Sequence, residues 1–367
     1  MTEEAAEPAE EPSLRELRLR STRFLGNHGN RPPSVVLAEI AEVLGDVEGD
    51  RYGEGGVVEE LETEVAALLG KPAAVLMPSG TMAQQIALRI HADRTGRRTV
   101  LWHPTCHVAL WEDQAAERLH GLHGRPVGDA RQLITLADLE EVAEYAGALL
   151  LELPQREIGG RLPDWDDLVA QTDLARSHGT ALHLDGARLL ESLPFYGRTA
   201  AEVAALFDSV YLSLYKGLGG ISGCLLAGDE QLVAEAREWR HRHGGTLFEL
   251  WPYAAAGLAG LRLRASRMPA YVAHAQAVAA ELATLDGVQV VPDPPVTPMM
   301  HVYLRGSAEA LDATLRRIAT ERLLWTWPKT YTSELPGWQA VELTVGDATL
   351  GFTPVEVRTL VAEILAG

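Results

Sequence analysis

From residue 73 onward the chain alternates short apolar runs with stretches whose apolar positions recur at helical spacing. The runs over 73–77, 99–102, 148–153, 181–185, 209–214 and 223–227 are bounded by turn residues and predict buried strands. Helical periodicity predicts helices over 80–92, 107–116, 136–145, 164–178 and 200–206. Strands separated by helices indicate βαβ units and a largely parallel, helix-covered sheet. Ahead of this block, Ser34 is a good N-cap for a helix over 34–44, and an amphipathic stretch over 57–69 stops at Gly70. Behind it, 230–243 reads as a helix that turns basic, and the small-residue stretch over 248–264 predicts a long helix joining two domains. The rhythm then changes to strands over 299–304, 323–327 and 340–344 with helices over 308–320 and 354–365, a small α+β domain. The expected divisions are an acidic tail and arm (1–33), a large α/β domain (34–265) and a small C-terminal domain (266–367).

Composition narrows the function classes. A net charge of −19 on 367 residues excludes the basic footprint of a non-specific nucleic-acid binder. The two cysteines, Cys106 and Cys224, provide neither a disulfide framework nor a metal quartet, so no metal is expected and a reducing, cytoplasmic setting is. No apolar run is long enough to span a bilayer, and Met1 to Pro12, with five glutamates and no aromatic residue, predicts a disordered tail.

The cations point to chemistry. The chain carries 29 arginines but only three lysines, Lys71, Lys216 and Lys329. A lysine kept in such a background suits a Schiff base, because a desolvated amine condenses with an aldehyde and a guanidinium does not. Lys216 follows the apolar run ending at Leu214 and precedes Gly217-Leu218-Gly219-Gly220, at the carboxyl end of a strand where open α/β sheets bind ligands; a surface lysine in a tight turn is the bland alternative. Pro78-Ser79-Gly80-Thr81 opens a helix after another strand, so its N–H groups and hydroxyls suit a phosphate, or Ser79 or Thr81 is a plain N-cap. Asp185 ends the strand His183-Leu184-Asp185 and would hold either a protonated ring nitrogen or Arg188. His103 and His107 follow a third strand, and either could lie against a planar heterocycle. A phosphate cradle, a stacking ring, a carboxylate and a Schiff-base lysine together make the protein side of a pyridoxal phosphate site.

With these motifs the chain resembles the threonine aldolase family of beta-eliminating lyases, in the aspartate-aminotransferase-like (fold type I) group. The likeness is carried by Arg51-Tyr52-Gly53-Glu54, Pro78-Ser79-Gly80-Thr81, His107 with Glu112, Leu151-Glu152, Gly160-Arg161-Leu162-Pro163, His183 to Arg188 and Lys216-Gly217-Leu218-Gly219. The resemblance implies a large domain with a mostly parallel seven-stranded sheet and a small C-terminal α+β domain. It implies that Lys216 carries the cofactor, Gly80 and Thr81 bind its phosphate, His107 stacks on the ring, Asp185 holds the pyridinium proton, and Arg188 anchors substrate carboxylate and cofactor. The implied reaction cleaves a β-hydroxy-α-amino acid (threonine, allo-threonine or a phenylserine-like compound) to glycine and an aldehyde, with His107 or a water it positions as base, in a homodimer or homotetramer whose Tyr52 loop reaches a neighbouring site. Rival readings are another β-eliminating lyase, an aminotransferase or a racemase, and a relative that has lost catalysis.

The chain departs from the family pattern where substrate is recognised. Gly26-Asn27-His28 stands where a serine-aspartate motif is usual, Leu153-Pro154 replaces an asparagine, and Thr246-Leu247-Phe248 replaces a Met-Arg-Gln stretch. Glu342 stands in the context of a carboxylate-binding arginine, whose charge-assisted pairing contributes about 1.5–3 kcal/mol. Arg31 or Arg242 then becomes the alternative anchor, unless the register is shifted. Trp325, Trp327, Tyr331 and Trp338 are read as core, or as a wall for a bulky side chain to which Trp251 and Tyr253 could add.

Overall fold

The computed structural model describes residues 11–367; most of the expected acidic tail lies outside the described residues. The chain divides into two compact units. One comprises Arg31–Gln276 and Val291–Met300, and the other the described part of Met1–Asn30 with Ala277–Val290 and His301–Gly367.

The larger unit is built on seven strands, β1 (Ala73–Met77), β2 (Thr99–Trp102), β3 (His123–Pro126), β4 (Ala148–Glu152), β5 (Ala181–Asp185), β6 (Ser209–Ser213) and β7 (Cys224–Gly228). They lie in the order β1-β7-β6-β5-β4-β2-β3. Every neighbouring pair is parallel except those made by β7, which runs antiparallel to β1 and β6. The fold-class expectation stands. The strand β3 has no apolar run in the sequence; its Gly124 lies against Trp102, so close that a Cβ there would be 1.7 Å from the indole.

Helices α1 (Pro33–Leu44) and α2 (Gly56–Leu69) precede β1, and α3 (Gly80–Thr95) follows it. Pro32, not Ser34, occupies the N-cap of α1, because proline is favoured in a first turn where N–H groups are unpaired anyway. α3 is buried almost all round. Its Ala83, Ile86, Ala87 and Ile90 pack with Val75, Met77 and Leu226, while Leu88 and Ala92 pack with Val100, Trp102 and Leu150. Polar residues on such a helix must find partners inside the protein.

The helix expected over 107–116 is broken. α4 (His107–Trp111) stops at Glu112, and Asp113 and Gln114 adopt positive φ before a second helix begins at Ala115. The break turns Glu112 back towards His107. The stretch expected to be helical over 136–145 keeps helix only at Leu136–Glu140. A helix missed in the sequence, α5 (Leu189–Tyr196), holds Pro194, and a proline in a helix removes a backbone donor.

Three further helices complete the run, α6 (Glu230–Arg242), α7 (Trp251–Arg264) and α8 (Met268–Leu282). α7 starts at Trp251 and not at Phe248, because Asp50 caps it by accepting the N–H groups of Leu250 and Trp251 at 2.8 and 2.7 Å. The expected long connection is interrupted by the 3-10 turn Ala265–Arg267.

The smaller unit contains a four-stranded sheet with a long strand at Trp338–Thr344, and the helices Ala308–Arg322 and Pro354–Ala366. Its N-terminal arm pairs Arg23–Phe24 with Leu324–Trp325 in parallel and bridges Asn27 to Val345. Of the clustered aromatics only Trp327 is buried, donating its Nε1–H to the Glu342 carbonyl at 2.8 Å; Tyr331 is exposed.

Candidate active site

Four strand ends of the larger unit converge on one pocket of about 150 Å3. Its lining includes Ser79, Gly80 and Thr81 after β1, His107 and Glu112 after β2, Asp185 at the end of β5, and Tyr211, Tyr215 and Lys216 on and after β6. Parallel strands deliver their carboxyl ends to the same edge, so residues far apart in sequence arrive together without local signals.

The phosphate-type cradle is the start of α3. Ser79 caps the helix, its Oγ accepting the Met82 N–H at 3.3 Å, so the plain N-cap reading holds and leaves the N–H groups of the first turn facing the pocket end. A Cβ at position 80 would lie 2.4 Å from the Tyr211 hydroxyl, so any larger residue there forces the tyrosine to shift.

His103 and His107 separate cleanly. The Nε2 of His103 lies 2.7 Å from the Gln132 carbonyl and its Nδ1 accepts the Thr105 N–H at 3.1 Å, so it is a satisfied loop histidine. His107 lines the pocket, and its Nδ1 is 3.2 Å from Glu112 Oε1, which leaves Nε2 for the pocket. The backbone N–H of His107 donates to Glu152 Oε2 at 3.1 Å, and that of Arg156 to Oε1 at 3.1 Å. Glu152 is paired in register with Asp185, and burial together with that neighbouring negative charge pushes its carboxyl pKa up.

Asp185 is buried, with Oδ1 accepting the Ala187 N–H at 3.1 Å. Arg188 reaches Glu191 at 3.9 Å and makes no ion pair with Asp185, so the purely structural Asp185–Arg188 pair does not form. Lys216 lines the same pocket as Asp185. Its pKa is lowered, by burial first and then by Arg188, with Asp185 and Glu152 partly opposing. A lowered lysine pKa raises the fraction of free amine, the form that attacks an aldehyde.

The other arginines are placed as follows. Arg31 donates to the Gly219 carbonyl in the lysine loop and pairs with Glu39. Arg264 also binds Glu39, at 2.8 Å. Arg242 pairs with Glu238 one turn back on its own helix. Asn27, His28 and Glu342 belong to the smaller unit.

Four lining residues escaped the sequence reading: Gln84, Tyr211, Tyr215 and Ser222. Gln84 had a legible signal, being one helical turn beyond Gly80 on the same face. Tyr211 looked like any strand residue.

A sequence model of the family described as "Beta-eliminating lyase" matches residues 34–306. The chain belongs to that family. It is a pyridoxal phosphate-dependent lyase with the fold type I architecture. The low specificity L-threonine aldolase of Escherichia coli is 33% identical over 247 residues, 65% of this chain and 72% of that one. A Listeria monocytogenes structure described as a candidate L-allo-threonine aldolase is 38% identical, with a TM-score of 0.90 over 96% of this chain and 98% of that one. An Exiguobacterium structure described as a candidate aromatic amino acid beta-eliminating lyase/threonine aldolase is 39% identical, with a TM-score of 0.90 over 96% and 99%.

The residues present fit this cofactor. A glycine that a methyl group would spoil opens the cradle, a buried carboxylate stands ready for a ring nitrogen, and a half-buried amine of lowered pKa lies beside it.

Proposed function

We propose that this lyase cleaves a β-hydroxy-α-amino acid to glycine and an aldehyde, with Lys216 carrying the cofactor. The observation that supports it most is the meeting of Gly80, Thr81, His107, Asp185 and Lys216 in one pocket. Threonine-aldolase-like relatives at 33–39% identity agree with it.

Bound pyridoxal phosphate supplies the electron sink that accepts the pair released when the Cα–Cβ bond breaks. The first turn of α3, with Gly80 and Thr81, binds the phosphate through backbone donors and hydroxyls. Asp185 holds the proton on the ring nitrogen, an acceptor role its burial at a strand end favours. With the cofactor bound, His107 would stack on its ring and its Nε2 would take the β-hydroxyl proton, while Glu112 holds Nδ1 and would stabilise the resulting imidazolium. Glu152 fixes the start of α4 and with it the height of His107. Arg188 is the first candidate for the substrate carboxylate, since its ion pair with Glu191 is long at 3.9 Å, whereas Arg31 is already engaged by Glu39 and Gly219.

The exposed Tyr52, edge-on to Phe248 at 5.4 Å, is a suitable contact for a second copy in a homodimer or homotetramer. Two buried free cysteines suit a cytoplasmic setting, and no helix among the described residues is long and apolar enough to cross a membrane.

The test is to add threonine, allo-threonine and phenylserine to purified, cofactor-loaded protein and assay aldehyde and glycine. Aldehyde with equimolar glycine is expected from at least one of them. An α-keto acid with equimolar ammonia in place of aldehyde (2-oxobutyrate from threonine or allo-threonine, phenylpyruvate from phenylserine) would overturn cleavage in favour of β-elimination, and a cofactor-loaded protein inert to all three would overturn the substrate class.

A further inference from the structure

The second turn of α3 brings a polar side chain into the pocket that no part of the reaction above has used. Gln84 is 1% exposed and lines the pocket, with its Oε1 2.6 Å from His183 Nε2. Its Nε2 is buried and has no hydrogen-bond partner among the described residues. A buried amide N–H pair left unmatched costs about 1–3 kcal/mol, so such a donor in a ligand pocket marks a ligand acceptor.

The amide is held by a file of buried groups leading away from the pocket. His183 Nδ1 is 2.7 Å from Ser209 Oγ, and the same Oγ is 2.7 Å from His91 Nε2. Both imidazoles are neutral near pH 7, because burial lowers His183 to about 3 and His91 to about 4. A neutral imidazole has one N–H, so His183 Nε2 either donates to the amide oxygen of Gln84 or accepts from its nitrogen, and the main alternatives for the file are two. In one, His91 Nε2–H donates to Ser209, the Ser209 hydroxyl donates to His183 Nδ1, His183 Nε2–H donates to Gln84 Oε1, and the amide N–H groups face the pocket. In the other every proton is reversed and the pocket faces the amide oxygen. The pocket wall already carries the carboxylates of Asp185 and Glu112, so an added carbonyl oxygen would be repelled there and a donor is complementary.

We propose that Gln84 is a cofactor-binding residue whose amide N–H donates to an anionic oxygen of pyridoxal phosphate, and that His183, Ser209 and His91 are positioning residues that keep the donor side turned to the pocket. The inference rests on the cofactor reading above.

The test titrates the cofactor-free protein and its Gln84→Met and Ser209→Ala variants with pyridoxal phosphate and with pyridoxal, following the visible absorption and protein fluorescence. Folding is checked by circular dichroism and melting. Gln84→Met is expected to weaken pyridoxal phosphate binding roughly tenfold or more. A loss confined to pyridoxal phosphate places the acceptor on the phosphate, and an equal loss with pyridoxal places it on the ring oxygen. Ser209→Ala, outside the pocket, should weaken binding in the same direction. In the cofactor-free wild type, nitrogen-15 spectra should show His183 as the Nε2–H tautomer at pH 7, a signal that a merely structural role does not require. The Nδ1–H tautomer, or equal affinities of wild type and Gln84→Met, would overturn the proposal alone. A wild type that takes up no pyridoxal phosphate would overturn the cofactor reading and this proposal with it.

Discussion

At the scale of single residues, the pocket trades stability for chemistry. Lys216 is held where its charged form is disfavoured, by burial and by Arg188. Its lowered pKa means that the unfolded chain binds the proton more tightly, so the residue costs stability at neutral pH and the cost fades as pH rises towards the ordinary lysine value of 10.5. Lys216→Met should therefore abolish the visible absorption of bound cofactor and yet stabilise the cofactor-free protein by about 0.5–2 kcal/mol in urea unfolding at pH 7. A cofactor-free variant less stable than wild type would contradict this account. His107 is expected to have two separable roles. His107→Phe keeps a ring for stacking and loses the base, so kcat should fall by about 10²–10⁴ while cofactor affinity stays within a few-fold. A parallel loss of affinity would mean that the histidine contributes chiefly to binding.

At the scale of elements, the close approaches are made by glycines at the two ends of the pocket. Gly80 lets α3 begin directly beneath Tyr211. On α7, a Cβ at Gly260 would lie 2.3 Å from the Leu218 carbonyl and one at Gly257 2.7 Å from Leu214, so the helix packs straight against the lysine loop. The α3 contact can be tested by a double-mutant cycle. Gly80→Ala should cost about 1–3 kcal/mol of stability, and adding Tyr211→Phe should recover part of it, because the hydroxyl at 2.4 Å is gone and the ring carbon at 3.0 Å remains. Strictly additive effects in thermal melts would show that the hydroxyl is not what excludes a side chain. The same scale shows where periodicity was a poor guide. Residues 107–116 carry a helical pattern throughout, but Asp113 and Gln114 at positive φ end α4 early, and that break is what brings Glu112 to His107.

At the scale of the whole molecule, the core around α3 holds its buried histidines, His91 and His183, in the neutral form. His91 is buried on α3 and lowered to about 4 from 6.5, chiefly by burial, with Arg94 adding and Asp208 opposing. A histidine held neutral contributes stability that is fully present above 6.5 and is lost as pH falls towards 4. The difference in unfolding free energy between wild type and His91→Gln should thus change by about 1.4 kcal/mol for each pH unit between 6.5 and about 4, with the wild type the more acid-sensitive. Equal pH slopes would mean that His91 is protonated in the folded protein without penalty.

Much of the protein was written in its sequence. The strands that carry Lys216, Asp185 and the Ser79-Gly80-Thr81 cradle are short apolar runs ending in chemistry-bearing residues, and both the period and the punctuation are local properties. The rarity of lysine singled out Lys216 before any fold was known. What the chain could not disclose depends on contacts between distant segments. β3 is a strand because it pairs with β2, although nothing in His123-Gly124-Arg125-Pro126 announces one. Arg188 turns to Glu191 and not to Asp185, and His103 is withdrawn to the Gln132 carbonyl while His107 is presented. Gln84, His183, Ser209 and His91 are scattered over more than a hundred residues and become one file only when α3 is laid against β5 and β6. Which residues have chemistry to offer is a matter of residue type; which of them meet, and which are already spent on a neighbour, is decided by burial and packing.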